Sequence, residues 1–147
     1  MGGRGVADAD RAAVCGGLGR LLADAHVLDT AARLRVWSWD GPGCVGTMRD
    51  LGQLSRFLRD LADQLAARLH QLGGGCPASL GALLQMSSVP SDPAGLPGSL
   101  LVLGQDLDAV GLIARATGDE VTAHLLVLHT APLADLARRL DQAGGQR

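Results

Sequence analysis

The stretch from Leu21 to Gly74 decides the fold, and three of its words carry most of the reading: Leu22-Ala23-Asp24-Ala25-His26-Val27-Leu28, Val36-Trp37-Ser38-Trp39-Asp40-Gly41-Pro42 and Leu61-Ala62-Asp63-Gln64-Leu65-Ala66-Ala67-Arg68-Leu69-His70-Gln71-Leu72-Gly73-Gly74. Apolar residues recur at three- and four-residue spacing on both sides of Gly41-Pro42-Gly43. That spacing lays one apolar stripe along a helix. The Gly-Pro-Gly break cannot continue a helix, because glycine is conformationally loose and proline lacks the N–H. Two long helices joined by a short break read as an antiparallel hairpin inside a bundle.

Working outward, Val14, Leu18, Leu21, Leu22, Ala25, Leu28 and Ala32 form the stripe of a first helix that begins near Asp8 or Asp10. Residues 1–10, with Gly2, Gly3 and Gly5, are expected to form a flexible N-terminal tail. The second helix spans about Cys44 to Leu72, with Val45, Met48, Leu51, Leu54, Leu58, Leu61, Ala62, Leu65, Leu69 and Leu72 on its buried side. Gly73-Gly74-Gly75 ends it.

Four of the six prolines (Pro77, Pro90, Pro93 and Pro97) fall in residues 76–98, which must be a long crossover. Within it, residues 78–86 can form a short helix whose Leu80, Leu83 and Leu84 need a surface to cover. A third helix runs from Pro97 to Ala116 on Leu100, Leu103, Leu107, Val110 and Ala114, closed by Gly118. A fourth runs from Asp119 to Ala143, and Pro132 should kink or break it. Residues 144–147 form a short C-terminal tail. The class is all-α, a four-helix bundle with a long crossover containing a short helix, and residues 1–147 make one domain.

Composition agrees. Apolar residues make up 47% of the 147 residues and aromatics 2%, so Leu, Ala and Val must build the core. Leu and Ala are good helix formers, and the residues favoured in strands are scarce. Lysine, asparagine and tyrosine are absent and all 13 basic residues are arginine, as the coding bias of a GC-rich, bacterial genome would give. A net charge of −2 offers no general attraction to nucleic acid or to an anionic membrane. No apolar run is expected to cross a bilayer and the N-terminus lacks a signal peptide's apolar middle, so the expected location is cytoplasmic. Cys15, Cys44 and Cys76 form no metal-binding pair and are expected to be buried or half-buried thiols.

The words of the opening stretch resemble the Dps family of miniferritins. Members read Leu-Ala-Asp, then Val-Leu, then His-Trp-Asn-x-x-Gly-Pro, and this chain gives Leu22-Ala23-Asp24, Val27-Leu28 and Val36-Trp37-Ser38-Trp39-Asp40-Gly41-Pro42 without a gap. The family's second helix closes on Asp-x-Ile-Ala-Glu-Arg-Ile-x-x-Leu-Gly-Gly, against Asp63 through Gly74 here. Pro77-Ala78-Ser79-Leu80 and Asp119-Glu120-Val121-Thr122-Ala123-His124 extend the match into the crossover and the last helix. The resemblance implies a ferritin-like bundle, a homo-oligomer of dodecamer type or a co-assembly with a paralogue, and iron as the cargo.

It also implies a ferroxidase centre shared between two subunits, with two His and three carboxylates. Carried over position by position, the two His fall on Val36 and Met48, and the carboxylates on Gly52, Asp63 and Ala67. Only Asp63 is a metal ligand, because valine, glycine and alanine have no donor atom and a thioether suits iron poorly. The expectation is a structural, storage or stress-protection subunit without ferroxidase activity. An active iron-oxidising miniferritin with a rebuilt site and a binding module of smaller assembly state are the alternatives. His26, His70, His124 and His129 have no metal-binding spacing and read as surface or packing histidines. Asp60 with Asp63 reads as a solvated or Arg56- or Arg59-paired face, and Asp106 with Asp108 do not share a helix side. DNA binding is disfavoured: the N-terminal segment sets Arg4 and Arg11 against Asp8 and Asp10.

Overall fold

In the computed structural model, residues 3–38, 44–90 and 95–144 are described. Five helices follow in order: α1 (Gly3–Ser38), α2 (Cys44–Gln71), α3 (Leu80–Met86), α4 (Leu96–Ala116) and α5 (Glu120–Gly144). No strand occurs among the described residues. The main pairings are α1 with α2 and α4 with α5, and the two hairpins close on each other through α1–α4 and α2–α5. The expected all-α four-helix bundle with a short helix in its crossover is what the chain forms.

Long-range pairs fix the register. Ser55 bonds to Asp29 between α1 and α2, while Arg68 reaches Asp119 and Arg139 reaches Asp50 between α2 and α5. The two α2–α5 pairs keep a nearly constant index sum, so those two helices run antiparallel. Every stripe residue expected of α1 is buried, as are Leu51, Leu54, Leu58, Leu61, Leu65 and Leu69 of α2 and the full α4 stripe. Val45 and Met48 depart from the expected α2 stripe and are exposed, because they precede the part of α2 that α1 and α5 cover.

α1 is more than a one-striped helix. From Gly17 to Asp29 only Arg20 and His26 escape full burial, since α2, α4 and α3 all pack on it. Two glycines seat those neighbours: a Cβ on Gly17 would stand 2.9 Å from Val110 Cγ2, and one on Gly19 would stand 2.6 Å from Met86 Cε.

Helix ends follow local chemistry. Gly73 (φ 74°) and Gly118 (φ 81°) adopt the left-handed conformation that closes α2 and α4. In each case the next N–H reaches back to the third-last helical carbonyl, Gly74 to Leu69 at 2.9 Å and Asp119 to Ala114 at 2.8 Å. The Ser79 side chain caps α3 by accepting from the Ala82 N–H at 3.1 Å.

Four expectations are corrected. α1 starts at Gly3 rather than at Asp8 or Asp10, so most of the expected tail at residues 1–10 is helical. Of the kink or break expected at Pro132, the break does not occur, since α5 runs on through it to Gly144. Pro132 faces solvent there, as does Leu128, whose carbonyl loses its helical donor to the proline ring, and water can satisfy that carbonyl. Cys15 is half-buried as expected, but Cys76 is exposed on the segment after α2. α4 is also long and apolar enough to cross a membrane by length and composition, against the sequence expectation, although one side of it packs into the bundle. The break over residues 39–43, Pro93 and the last three residues lie outside the described residues, as does the Cys44 side chain.

Candidate functional site

The five positions that the resemblance assigns to iron fall in two groups along the α1–α2 hairpin. Val36 lies half-buried near the end of α1, and Met48 and Gly52 lie on the first turns of α2. Asp63 and Ala67 are exposed on the second half of α2. Met48 and Asp63 are fifteen residues apart on one helix, about 22 Å along its axis at 1.5 Å per residue. One chain therefore cannot gather all five.

The surroundings of the first group are apolar. Trp37 is 77% exposed and Val45 72%, with Leu34 and Met48 beside them in the chain's exposed set. A Cβ on Gly52 would meet nothing within 4 Å, so there is room for a side chain that the sequence does not supply. Valine, methionine, glycine and alanine with one aspartate do not fit the oxygen and imidazole donors that iron prefers. Among the described residues, no three His, Cys, Asp or Glu side chains come together as a metal site.

The histidines stand where packing histidines stand. His70 and His124 are exposed, and His26 is half-buried. His129 Nδ1 lies 2.8 Å from the Leu125 carbonyl, and its ring tilts against Phe57 at a 5.7 Å centroid separation. Asp60 and Asp63 are exposed. Asp108 accepts a 3.4 Å bond from Thr130, while Asp106 lines a cavity of about 360 Å³ with Asp24, Ser88 and Ser99.

Sequence reading missed the polar clamps. Asp24, 1% exposed, accepts from Ser87 Oγ at 2.7 Å, from the Ser88 N–H at 2.7 Å and from Ser88 Oγ at 2.8 Å. A buried carboxylate is tolerable only when its lone pairs are met in this way. The clamp ties the end of the α3 crossover to the middle of α1. Asp29, also buried, accepts from Ser55 Oγ and pairs with Arg33 at 3.2 Å.

The second clamp joins α2 to the α4–α5 turn. Arg68 donates to Asp119 at 2.8 Å and to Thr122 Oγ1 at 2.9 Å, and Asp119 accepts the Thr122 N–H at 3.0 Å as the cap of α5. Burial works against ionising Asp119, but the Thr122 hydroxyl and N–H and the Arg68 guanidinium together outweigh it. Its carboxyl is thereby held below the ordinary value of 3.8. The signal available in sequence was the pair of words Arg68-through-Gly74 and Asp119-through-His124, both quoted for the resemblance, but nothing in either word says that they touch.

With this geometry in hand, the chain can be set beside known proteins. No protein-family model matches it. The "DNA protection during starvation protein" of Halobacterium salinarum is 30% identical over 145 residues, covering 91% of this chain and 80% of its own length. The chain belongs to the Dps family. The Dps fold extends to solved structures of lower identity. A Dps protein from Bacillus brevis superposes with a TM-score of 0.81 at 23% identity, over 91% of this chain and 96% of its own. A Dps protein from Vibrio cholerae, described as a member of a broad superfamily of ferritin-like diiron-carboxylate proteins, gives 0.84 at 20%, over 91% and 90%. The bundle is thus ferritin-like, and as a Dps chain this one sets four side chains without a hard donor where the resemblance places ligands.

Proposed function

We propose that this chain is a structural miniferritin subunit, one domain over residues 1–147, that assembles with further copies and has given up the iron-oxidising centre. The observation that carries the reading is the donor set: of Val36, Met48, Gly52, Asp63 and Ala67, only Asp63 offers an oxygen, and it stands exposed. Val36, Met48 and Gly52 are apolar or empty in a zone that also turns Trp37 and Val45 outward, and Ala67 lacks a donor on the second half of α2. Such a zone is suited to contact between copies, in a dodecamer or a co-assembly with a paralogue, rather than to holding a cation.

The remaining features fit a storage or stress-protection shell in the cytosol. The printed name of the Halobacterium relative concerns DNA protection. Here the net charge is −2, and Arg11 of the N-terminal segment is paired with Asp8 at 2.9 Å, which weakens that segment as a phosphate-binding arm. Direct DNA binding is therefore not part of the proposal.

Anaerobic Fe(II) followed by oxygen tests the reading, with absorbance reporting ferric product. Oxidation at the protein-free rate is expected, and the quadruple variant Val36→His, Met48→His, Gly52→Asp, Ala67→Glu is expected to raise it. Wild-type turnover that survives Asp63→Ala would establish a rebuilt site and sink the proposal. Light scattering that finds only monomers or dimers would remove the shell.

A further inference from the structure

We infer that Cys15 and Cys76 form an oxidisable thiol pair that peroxide closes into an intrachain disulfide, stapling the start of the crossover onto α1. The Ser55–Asp29 bond sets the antiparallel α1–α2 register at an index sum of 84, which places Cys15 opposite Leu69. Independent contacts agree: a Cβ on Gly74 would stand 3.0 Å from Cys15 Sγ and 2.5 Å from Leu69 Cδ1. The chain leaving α2 therefore folds back directly over Cys15.

Two residues later Cys76 Sγ lies 3.8 Å from the Ala66 carbonyl. Ala66 is three residues before Leu69, about 4.5 Å along α2. It also sits on the α1-facing flank, four and eleven positions from Ala62 and Ser55 on the side that meets Asp29. Both sulfurs thus lie against the same face of α2, within about one helical turn of each other along it. Cys15 is half-buried and Cys76 exposed. Gly73, Gly74 and Gly75 precede Cys76, and a Cβ on Gly75 would meet nothing within 4 Å, so the backbone has the freedom and the space to bring the Cα atoms within the roughly 7 Å that a disulfide needs.

The chemistry closes without further groups. The exposed Cys76 thiolate attacks hydrogen peroxide, the O–O bond breaks, and Cys76 sulfenic acid and water form. The Cys15 thiolate then attacks the Cys76 sulfur, the S–O bond breaks and a second water leaves. Two thiols are oxidised and one peroxide is reduced to two waters. The product ties the first residues of the crossover to α1, as Asp24 ties its middle, just past α3, through Ser87 and Ser88.

Tryptic mapping of the full-length protein tests this cleanly, because Cys15, Cys44 and Cys76 fall on three different tryptic peptides, residues 12–20, 36–49 and 69–115. After treatment with hydrogen peroxide the intact chain should lose two hydrogens, and peptides 12–20 and 69–115 should appear linked until dithiothreitol separates them. The link should persist in Cys44→Ser and vanish in Cys76→Ser, an exposed position whose variant keeps the test open if Cys15→Ser fails to fold. Cys76 converted to sulfinic acid while Cys15 remains alkylatable would overturn the inference, as would a Cys76 link between two chains on a denaturing gel.

Discussion

The two ends of the α1–α2 hairpin are built on opposite plans. From the middle of the hairpin to its open end, Asp24 and Arg68 tie the crossover and the α4–α5 turn to it through bonds spanning 51 to 64 residues of sequence. At the end near residues 34–52 the large apolar side chains Leu34, Trp37, Val45 and Met48 turn outward, beside exposed Ser38 and Arg49. One end spends its polar groups on internal fastening. The other, fastened to α5 by Arg139 and Asp50, presents apolar surface at three of the five positions where the family resemblance places metal ligands. The contrast teaches that the fold's polar fasteners do not depend on metal donors at the positions the resemblance assigns to iron.

The strongest attack on that contrast is Asp24→Ala. It takes the shared acceptor from the Ser88 N–H and from the Ser87 and Ser88 hydroxyls, all part-covered, and the expected cost is about 2 kcal/mol, read as a lower urea midpoint. Ser88→Ala should cost a fraction of that, because Ser87 Oγ and the Ser88 N–H still reach the carboxylate.

Arg68→Ala comes next, at roughly 2 kcal/mol, since both Arg68 and Asp119 are largely covered. It should also change the pH response. Asp119 is held below the ordinary carboxylate value of 3.8, so its contribution is fully present above that pH and is lost as pH falls through the lower folded value. Wild-type stability should therefore drop on acidification below the ordinary value, and the Arg68→Ala profile should be flatter there. An unchanged acid limb would remove the clamp from the account.

At the other end, Trp37→Ser should leave the unfolding midpoint within about 0.5 kcal/mol of wild type, as for exposed positions generally. The same change should shift light scattering toward smaller species if the apolar zone joins copies. Large destabilisation without a change in size would reverse the roles assigned to the two ends. The smallest effect belongs to Asp63→Ala: no change in stability, and no change in iron oxidation.

Much of the bundle was legible because it depends on spacing. Leu18, Leu21, Leu28 and the α4 stripe are buried as their periodicity requires, and Gly73 and Gly118 stop their helices as glycine allows. What was illegible depends on the third dimension. Asp24 looks like any polar helix residue until α3 and α4 cover it, and Arg68 has no visible partner until α5 arrives 51 residues later. Pro132 suggested a break because sequence cannot tell a solvent-facing proline from one facing the core. The candidate site was legible only through the family resemblance, since no spacing of His or acids within the chain marks it, and the exposed setting of Trp37 and Val45 emerged from the structure.

The glycines of α1 bear on redesign. In sequence Gly16, Gly17 and Gly19 look like three equal weaknesses, yet they are three different constraints. Gly16 has open space, so alanine there would gain helix propensity of about 1 kcal/mol. At Gly19 the neighbour is the flexible end of Met86, which can step aside, whereas at Gly17 it is the stiff branched side chain of Val110. Thermostabilisation by glycine replacement is open at the first, conditional on Met86 at the third and barred at the second, where the missing methyl sets how closely the two hairpins lie.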